Sequence, residues 1–203
     1  MKCKITNSEM EPFMSFGKMP IANGFLKKEE FDKEFFFNLD VGFSEKICLF
    51  QLKDHPTPDQ MFNDKYPFFT GSSEAMKSHF KKYADFIKKN YIKNNSKIIE
   101  IGSNDGTFLN NFKNSNLEYV GFEPSSNVAK IANQNKIRTL NQFFGIESLN
   151  SVKNFIKQTD VIFAANVICH VPNLIGLIKA VDQLLSKEGV FIFEEPYLGS
   201  MFE

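Results

Sequence analysis

The sequence predicts an α/β fold in which a parallel sheet is covered by helices on both faces. Three observations support this prediction. From Lys97 onward, short apolar runs alternate with segments of helical period. These runs are apolar almost throughout, as in strands that are buried on both faces. The chain has 203 residues, of which 42% are hydrophobic and 24% charged, and this is enough to bury a core.

The first part of the chain, residues 1–73, predicts a small β-rich module. Prolines and glycines interrupt it repeatedly, and no long helix fits between them. Strand-like runs occur at residues 34–43 and 46–52. We therefore expect a separate module before the α/β region.

A linking segment, residues 74–95, predicts an amphipathic helix over residues 74–91. Ser72 or Ser73 can cap this helix. Its apolar residues recur at helical spacing with lysines between them, namely Met76, Phe80, Tyr83 and Ile87.

The remaining segment, residues 96–203, predicts the parallel sheet. The strands are expected at residues 97–101, 118–123, 137–141, 160–166 and 189–195. The helices are expected at residues 107–114, 125–134, 146–157 and 173–186. Gly189 stands where the last helix should stop. In such a fold, ligands bind at the carboxyl ends of the strands.

The first turn of this sheet contains two glycines, Gly102 and Gly106, around three small polar residues. Glycine lets a ligand approach the backbone closely. The dinucleotide fingerprint G-x-G-x-x-G fails because Asn104 stands at its middle glycine. The looser G-x-x-x-G turn is typical of S-adenosylmethionine sites, and Ser103, Asn104 and Asp105 suit the amino-acid tail of that ligand. A plain βα turn is the alternative, and Asp105 could equally cap the following helix.

Glu123 is the second part of this predicted site. It ends the second strand of the sheet, about twenty residues after the turn, where a carboxylate can accept both ribose hydroxyls of a nucleoside. A solvated carboxylate at the end of a strand is the alternative interpretation. The turn and Glu123 together favour a nucleoside ligand.

Six segments in order resemble one family, the sugar C-methyltransferases, which use S-adenosylmethionine to methylate a carbon of nucleotide-linked deoxysugars. The resemblance covers essentially the whole chain. It is carried by GKMPIANGFL (17–26), YPFFTGSSEAMKSHF (66–80), EIGSNDGTFL (100–109), VGFEPSSNVA (120–129), AANVICHVPNL (164–174) and GVFIFEEPYLGSMFE (189–203). It implies a Rossmann-like class I methyltransferase sheet with helices on both faces, preceded by a zinc-binding type of module.

The resemblance also implies roles for individual residues. Those expected to hold the methionine part of S-adenosylmethionine are Gly102, Ser103, Asn104 and Gly106. Glu123 would hold the ribose, and Asn166 would line the methyl-transfer side of the cleft. Phe143 and Phe144 would lie at the adenine, with core packing as the alternative for either ring.

Four further residues fall near the cleft in this interpretation. Tyr66, Ser73 and His79 would close over the cofactor from the linking region, although His79 lies beside the apolar stripe of the helix, which favours a structural role. His170 would contact substrate or cofactor, or form a hydrogen bond with backbone in its loop. The catalytic residues stay unknown, because nothing in the sequence marks His170 or Glu195 as a general base.

The N-terminal module departs from the resemblance. The family usually holds zinc there through two Cys-x-x-Cys pairs. Cys3 fits the first position, but Thr6 stands at its partner, Ser44 and Ile47 stand at the second pair, and Cys48 is displaced by one. We therefore expect no metal. Aromatic packing should stabilise the module instead, from residues such as Phe35, Phe36 and Phe37.

The family's general base and its sugar-binding domain follow the phrase that ends at Glu203, so we expect this chain to be an N-terminal, cofactor-binding fragment. Its sheet would keep an exposed edge through which copies could associate. Lys+Arg and Asp+Glu both number 24, which argues against nucleic acid as a partner. No apolar run reaches membrane length, and the odd cysteine count favours a cytoplasmic location.

Three other functions remain open. A non-catalytic binding module would fit the lost zinc ligands, and a methyltransferase for oxygen or nitrogen of a small molecule would fit the same cofactor turn. A nicotinamide-dependent oxidoreductase is disfavoured by the spacing of the glycines.

Overall fold

The computed structural model describes residues 1–113 and 115–201. It contains two compact units, Met1–Phe62 and Asn63–Glu203. Asn114, the last residue of the helix predicted at 107–114, lies outside the described residues. So do Phe202 and Glu203, which end the segment predicted at 96–203.

The first unit is built on an antiparallel sheet with the strand order β1-β2-β3. Its elements are β1 (Glu11–Pro20), a 3₁₀ segment (Lys28–Lys33), β2 (Phe36–Ser44), a 3₁₀ turn (Glu45–Ile47), β3 (Leu49–Leu52) and α1 (Pro58–Met61). The sequence did not predict β1, which contains two prolines and a glycine. It lies at the edge of the sheet, where a residue without an N–H is tolerated.

The rings that pack together in this unit include two of those that the sequence predicted. Phe35 and Phe37 stack with ring centroids 6.5 Å apart, whereas Phe36 is 49% exposed. Phe50 makes further contacts that the sequence did not predict, with ring centroids 4.7 Å from Phe13 and 4.8 Å from Phe43. Phe43 and Phe50 are paired on neighbouring strands, and sequence spacing alone does not reveal such a contact.

Near its start, the second unit contains a segment that we call the strap (residues 66–71). The helix α2 (Glu74–Tyr91) follows it. The helix has the predicted bounds, and the Ser73 hydroxyl caps it by accepting from Met76 N at 3.3 Å. Phe80 and Ile87 are buried, and Met76 and Tyr83 pack partly buried beside them. The predicted apolar stripe is therefore the face that α2 turns to the sheet.

Within the described residues, the unit contains a five-stranded parallel sheet with the order β6-β5-β4-β7-β8. The strands are β4 (Lys97–Ile101), β5 (Glu118–Phe122), β6 (Thr139–Leu140), β7 (Thr159–Ala165) and β8 (Leu185–Glu194). The helical segments are a 3₁₀ turn (Leu109–Phe112), α3 (Ser126–Gln134), a 3₁₀ segment (Ile146–Phe155), a 3₁₀ turn (Ile168–His170), α4 (Leu174–Leu184) and a 3₁₀ turn (Leu198–Met201). The predicted fold class is confirmed.

Three predicted helices are shorter or tighter than expected. The first is a single 3₁₀ turn, and the third is a 3₁₀ segment because Val152 leaves helical geometry at φ −136°. The last ends at Leu184, since Leu185 already has the dihedrals of extended backbone. Gly189 therefore lies in β8 and does not end the helix as predicted.

The sheet buries a core on each of its faces. Ile99, Val120 and Ile162 belong to the core that α4 covers, and Ile98, Val161 and Phe163 belong to the core that α2 covers. The chain passes from β4 to β5 on one side of β4 and returns from β6 to β7 on its other side, so the strand order reverses at β4, the place where ligands bind in open α/β sheets. No helix in the described residues combines the length and apolar character needed to cross a bilayer.

Candidate functional site

The glycine turn follows β4 directly and adopts a conformation that favours glycine. Gly102 and Gly106 have φ of 68° and 80°, and Asn104 also has a positive φ of 49°. A Cβ on Gly102 would lie 2.3 Å from Cγ2 of Val167, and Ser103 N donates to the carbonyl of Phe122 at 2.9 Å. The turn is thus held between the ends of β5 and β7, and side chains pack against both glycines, Val167 at Gly102 and Ile137 at Gly106.

The Glu123 carboxylate lies against this turn. Its side chain is 4% exposed, with Oε2 accepting from Asn104 N at 3.0 Å and Oε1 accepting from Ser125 N at 2.7 Å. Burial raises the pKa of Glu123, and the hydrogen bonds from Ser125 and Asn104 offset part of that rise. The structure therefore brings together the two parts of the site that the sequence predicts.

The side chains of the turn bind the strap. Asn104 Oδ1 accepts from Thr70 N at 2.8 Å, and Asn104 Nδ2 donates to the carbonyl of Phe68 at 3.1 Å. Asp105 Oδ2 accepts from Gly71 N at 2.7 Å. The side chains of Asn104 and Asp105 thus form hydrogen bonds with the backbone of the strap.

Two more contacts complete this arrangement. Asn127, the second residue of α3, donates from Nδ2 to the carbonyl of Tyr66 at 2.8 Å, while its Oδ1 is buried without a hydrogen-bond partner in the described structure. Ser103 is 2% exposed and packs over Gly121, where a Cβ would lie 2.3 Å from its Oγ. Tyr66 lies close enough to Glu123 for the charge of that carboxylate to act on it. Burial, followed by this charge, raises the pKa of Tyr66.

Glu100 was not among the predicted site residues, yet it lies under the turn. It is 4% exposed, and burial, followed by the charges of Asp105 and Glu123, raises its pKa well above the usual value. Its Oε2 is buried without a hydrogen-bond partner in the described part of the chain. Burial and the neighbouring carboxylates thus favour the protonated, neutral form of Glu100 beneath the turn.

Three other predicted residues make contacts with protein groups outside the glycine turn. Asn166 is exposed with φ of 55°, and its N–H donates to the carbonyl of Glu194 at 2.8 Å. His79 pairs with the Glu194 carboxylate, with 2.8 Å between Nε2 and Oε2. His170 is exposed, and its N–H donates to the carbonyl of Val167 at 2.9 Å.

Phe143 and Phe144 have different environments. Phe144 packs against the core and meets Phe122 edge to face, with ring centroids 5.1 Å apart. Phe143 is 41% exposed, so its ring can contact a ligand. The sequence could not separate these two adjacent rings.

Side chains at or beside the expected zinc positions of the first unit do not form a set of metal ligands. Cys3 is buried, and its Sγ accepts from Gln51 Nε2 at 3.0 Å and from Thr6 N at 3.4 Å. Burial raises the pKa of the Cys3 thiol, but these hydrogen bonds outweigh it and lower the pKa to about 6. Ser44 is buried, and Cys48 is exposed. No group of three His, Cys, Asp or Glu side chains suited to a metal occurs among the described residues, so a four-thiolate centre does not fit.

Comparison with protein families decides the assignment of the second unit. Residues 76–201, more than half of the chain, match a family described as a methyltransferase domain. The chain belongs to the methyltransferase domain family. This membership implies S-adenosylmethionine as the cofactor. Residues 3–62 match a second family, described as "Putative zinc binding domain".

Individual relatives of this methyltransferase domain are distant. C-methyltransferase NovU from Streptomyces niveus is 26% identical over 187 residues, which are 91% of this chain and 44% of NovU. The chain therefore spans less than half the length of this curated relative.

Solved structures support the fold alone. The PH0226 protein from Pyrococcus horikoshii has a TM-score of 0.53 and 17% identity, covering 73% of this chain and 66% of PH0226. A SAM-dependent methyltransferase from Archaeoglobus fulgidus has a TM-score of 0.50 and 18% identity, covering 62% and 53% of the two chains.

Proposed function

We propose that this chain is the cofactor-binding part of a C-methyltransferase that acts on a nucleotide-linked deoxysugar. The observation that carries the cofactor site is the buried Glu123 carboxylate, held against the glycine turn at the carboxyl end of the sheet. The acceptor class is supported by the C-methyltransferase NovU and by the ordered segments that resemble sugar C-methyltransferases.

The described residues fit S-adenosylmethionine in three respects. The turn at Gly102 and Gly106 follows the carboxyl end of β4 and would hold the methionine part, Glu123 provides two carboxylate oxygens for the ribose, and Phe143 offers a ring for the adenine. When bound, the cofactor supplies an electrophilic methyl group. Ser103 and Asn104 support the turn through side-chain packing and through the strap, and Asn166 would lie on the methyl-transfer side.

Phe143 and Phe144 should respond differently to substitution. Phe143→Ala should weaken binding of S-adenosylhomocysteine about 5-fold and leave stability nearly unchanged, because an exposed ring loses a contact with adenine and little packing. Phe144→Ala should lower the free energy of unfolding by about 2–3 kcal/mol, because its ring packs on Phe122. Calorimetry and urea unfolding measure the two effects. Equal binding losses for both variants would contradict these roles.

The N-terminal unit should be stable without zinc. We propose that Gln51 connects the Cys3 turn to the sheet, since its amide also accepts from Lys4 N at 2.9 Å. Purified protein should contain less than about 0.1 zinc per chain, and a chelator should leave its melting temperature unchanged. Gln51→Ala should destabilise this unit by about 1 kcal/mol. One zinc per chain, measured by elemental analysis, would show this account of the unit to be wrong.

The acceptor class can be tested with S-adenosylmethionine labelled in its methyl group. Carbon is not nucleophilic until its proton leaves, so C-methylation needs a general base. A nucleotide-linked keto-deoxysugar should therefore take up the label on carbon, and only after a general base has removed the proton there. Rapid transfer to a hydroxyl or amine acceptor would contradict C-methylation.

Two further proposals concern the setting of the protein. The cysteines Cys3, Cys48 and Cys169 are free, which favours a reducing cytoplasm. The last strand, β8, lies at the edge of the parallel sheet, and copies of the chain could associate through it.

A further inference from the structure

The loop that follows β7, which we call the β7 loop (residues 166–169), is fixed to the end of β8. Asn166 turns the chain through a left-handed conformation, with φ of 55°, and its N–H donates to the carbonyl of Glu194 at 2.8 Å. The turn exposes the next backbone N–H groups, which need acceptors.

The carboxylate of Glu195 supplies the acceptor for both groups. Its Oε1 accepts from Val167 N at 2.9 Å and from Ile168 N at 2.6 Å. Hydrogen bonds to an ionised carboxylate are stronger than those to a neutral acceptor. One oxygen atom of Glu195 therefore holds two consecutive residues of the β7 loop.

The loop in turn shapes the glycine turn. Val167 packs partly buried against the core, and its Cγ2 lies 2.3 Å from the position that a Cβ on Gly102 would take. The Val167 side chain thus fills the space beside Gly102 where a side chain would otherwise lie. If Val167 moved away from the sheet, this space would open. The position of Glu195 is thus transmitted through Val167 to the backbone of Gly102.

Only half of the carboxylate is used in these contacts. Glu195 Oε2 is buried without a hydrogen-bond partner in the described structure. An amide in place of the carboxylate keeps an equivalent Oε1, whereas a methyl group keeps neither oxygen. Glutamine thus keeps the acceptor oxygen and the size of the side chain but loses the charge, whereas alanine loses all three. Comparing the two variants distinguishes the role of the acceptor oxygen from that of the charge.

We infer that Glu195 is a positioning residue of the cofactor site, whose Oε1 holds the β7 loop so that Val167 supports the glycine turn at Gly102. This inference rests on the proposed function, because it assigns S-adenosylmethionine to that turn.

The test compares Glu195→Ala with Glu195→Gln in the full chain. S-adenosylhomocysteine should bind about 10-fold more weakly to the alanine variant, and within about 3-fold of wild type to the glutamine variant. Hydrogen exchange of the Val167 and Ile168 amides should accelerate in the alanine variant and stay slow in the glutamine variant. Glu188→Ala removes an exposed carboxylate from the same strand, β8, without touching the β7 loop, so it should bind like wild type.

Two results would overturn the inference. The first is an alanine variant that is folded, binds like wild type and keeps both amides protected. The second is a glutamine variant that loses binding and amide protection as fully as the alanine variant. If wild type does not bind S-adenosylhomocysteine, the proposed function fails, and the exchange rates of the two amides still decide whether Glu195 holds the loop.

Discussion

Glu123→Ala should weaken binding of S-adenosylhomocysteine by about 100-fold or more. The two carboxylate oxygens are expected to accept the ribose hydroxyls, and hydrogen bonds to a charged group contribute about 1.5–3 kcal/mol each. The same oxygens accept from Asn104 N and Ser125 N, so the variant also removes support for the glycine turn. Isothermal calorimetry measures the loss of binding, and circular dichroism shows whether the variant is folded.

Two further variants make this result specific. Glu123→Gln keeps one acceptor oxygen and should lose about 10-fold, an intermediate effect. Glu118→Ala removes a carboxylate from the amino end of the same strand, where it pairs with Lys97, and should bind like wild type. Equal binding by Glu123→Ala and wild type would show that Glu123 does not contact the ligand.

Gly102→Ala should be the most destabilising single change at the site, lowering the free energy of unfolding by about 2–4 kcal/mol. The left-handed conformation costs a residue with a Cβ about 1–2 kcal/mol. The new Cβ would also lie 2.3 Å from Val167 Cγ2, and overpacking of this kind costs about 1–3 kcal/mol. Urea unfolding of the chain measures the sum of the two effects.

The double variant Gly102→Ala with Val167→Ala separates these effects. Removing the Val167 methyl groups relieves the close contact but leaves the backbone strain, so the added alanine should cost only about 1–2 kcal/mol in that background. An equal cost of Gly102→Ala in both backgrounds would show that Val167 does not press on the turn.

The predicted features that the structure contains are local in sequence. The β4 strand and its glycine turn follow from an apolar run beside two glycines, and Glu123 follows from its place at the end of β5. The sequence also predicted α2 and its buried stripe, because helical period and a capping serine are contained in one segment.

The parts that were missed depend on residues that are distant in sequence. Asn104 and Asp105 lie 34 residues from the strap residues that they bind, and Glu195 lies 28 residues from Val167. No pattern of residue types reveals such pairs before the fold is known. The same holds for β1, whose prolines are acceptable only because the strand lies at the edge of its sheet.

Binding of S-adenosylmethionine and S-adenosylhomocysteine to the wild-type chain, measured by isothermal calorimetry, tests the central claim most directly. The buried Glu123 carboxylate, held against the glycine turn at the carboxyl end of the sheet, predicts that both compounds bind with one site per chain. Failure of folded protein to bind either compound would contradict the proposed cofactor site.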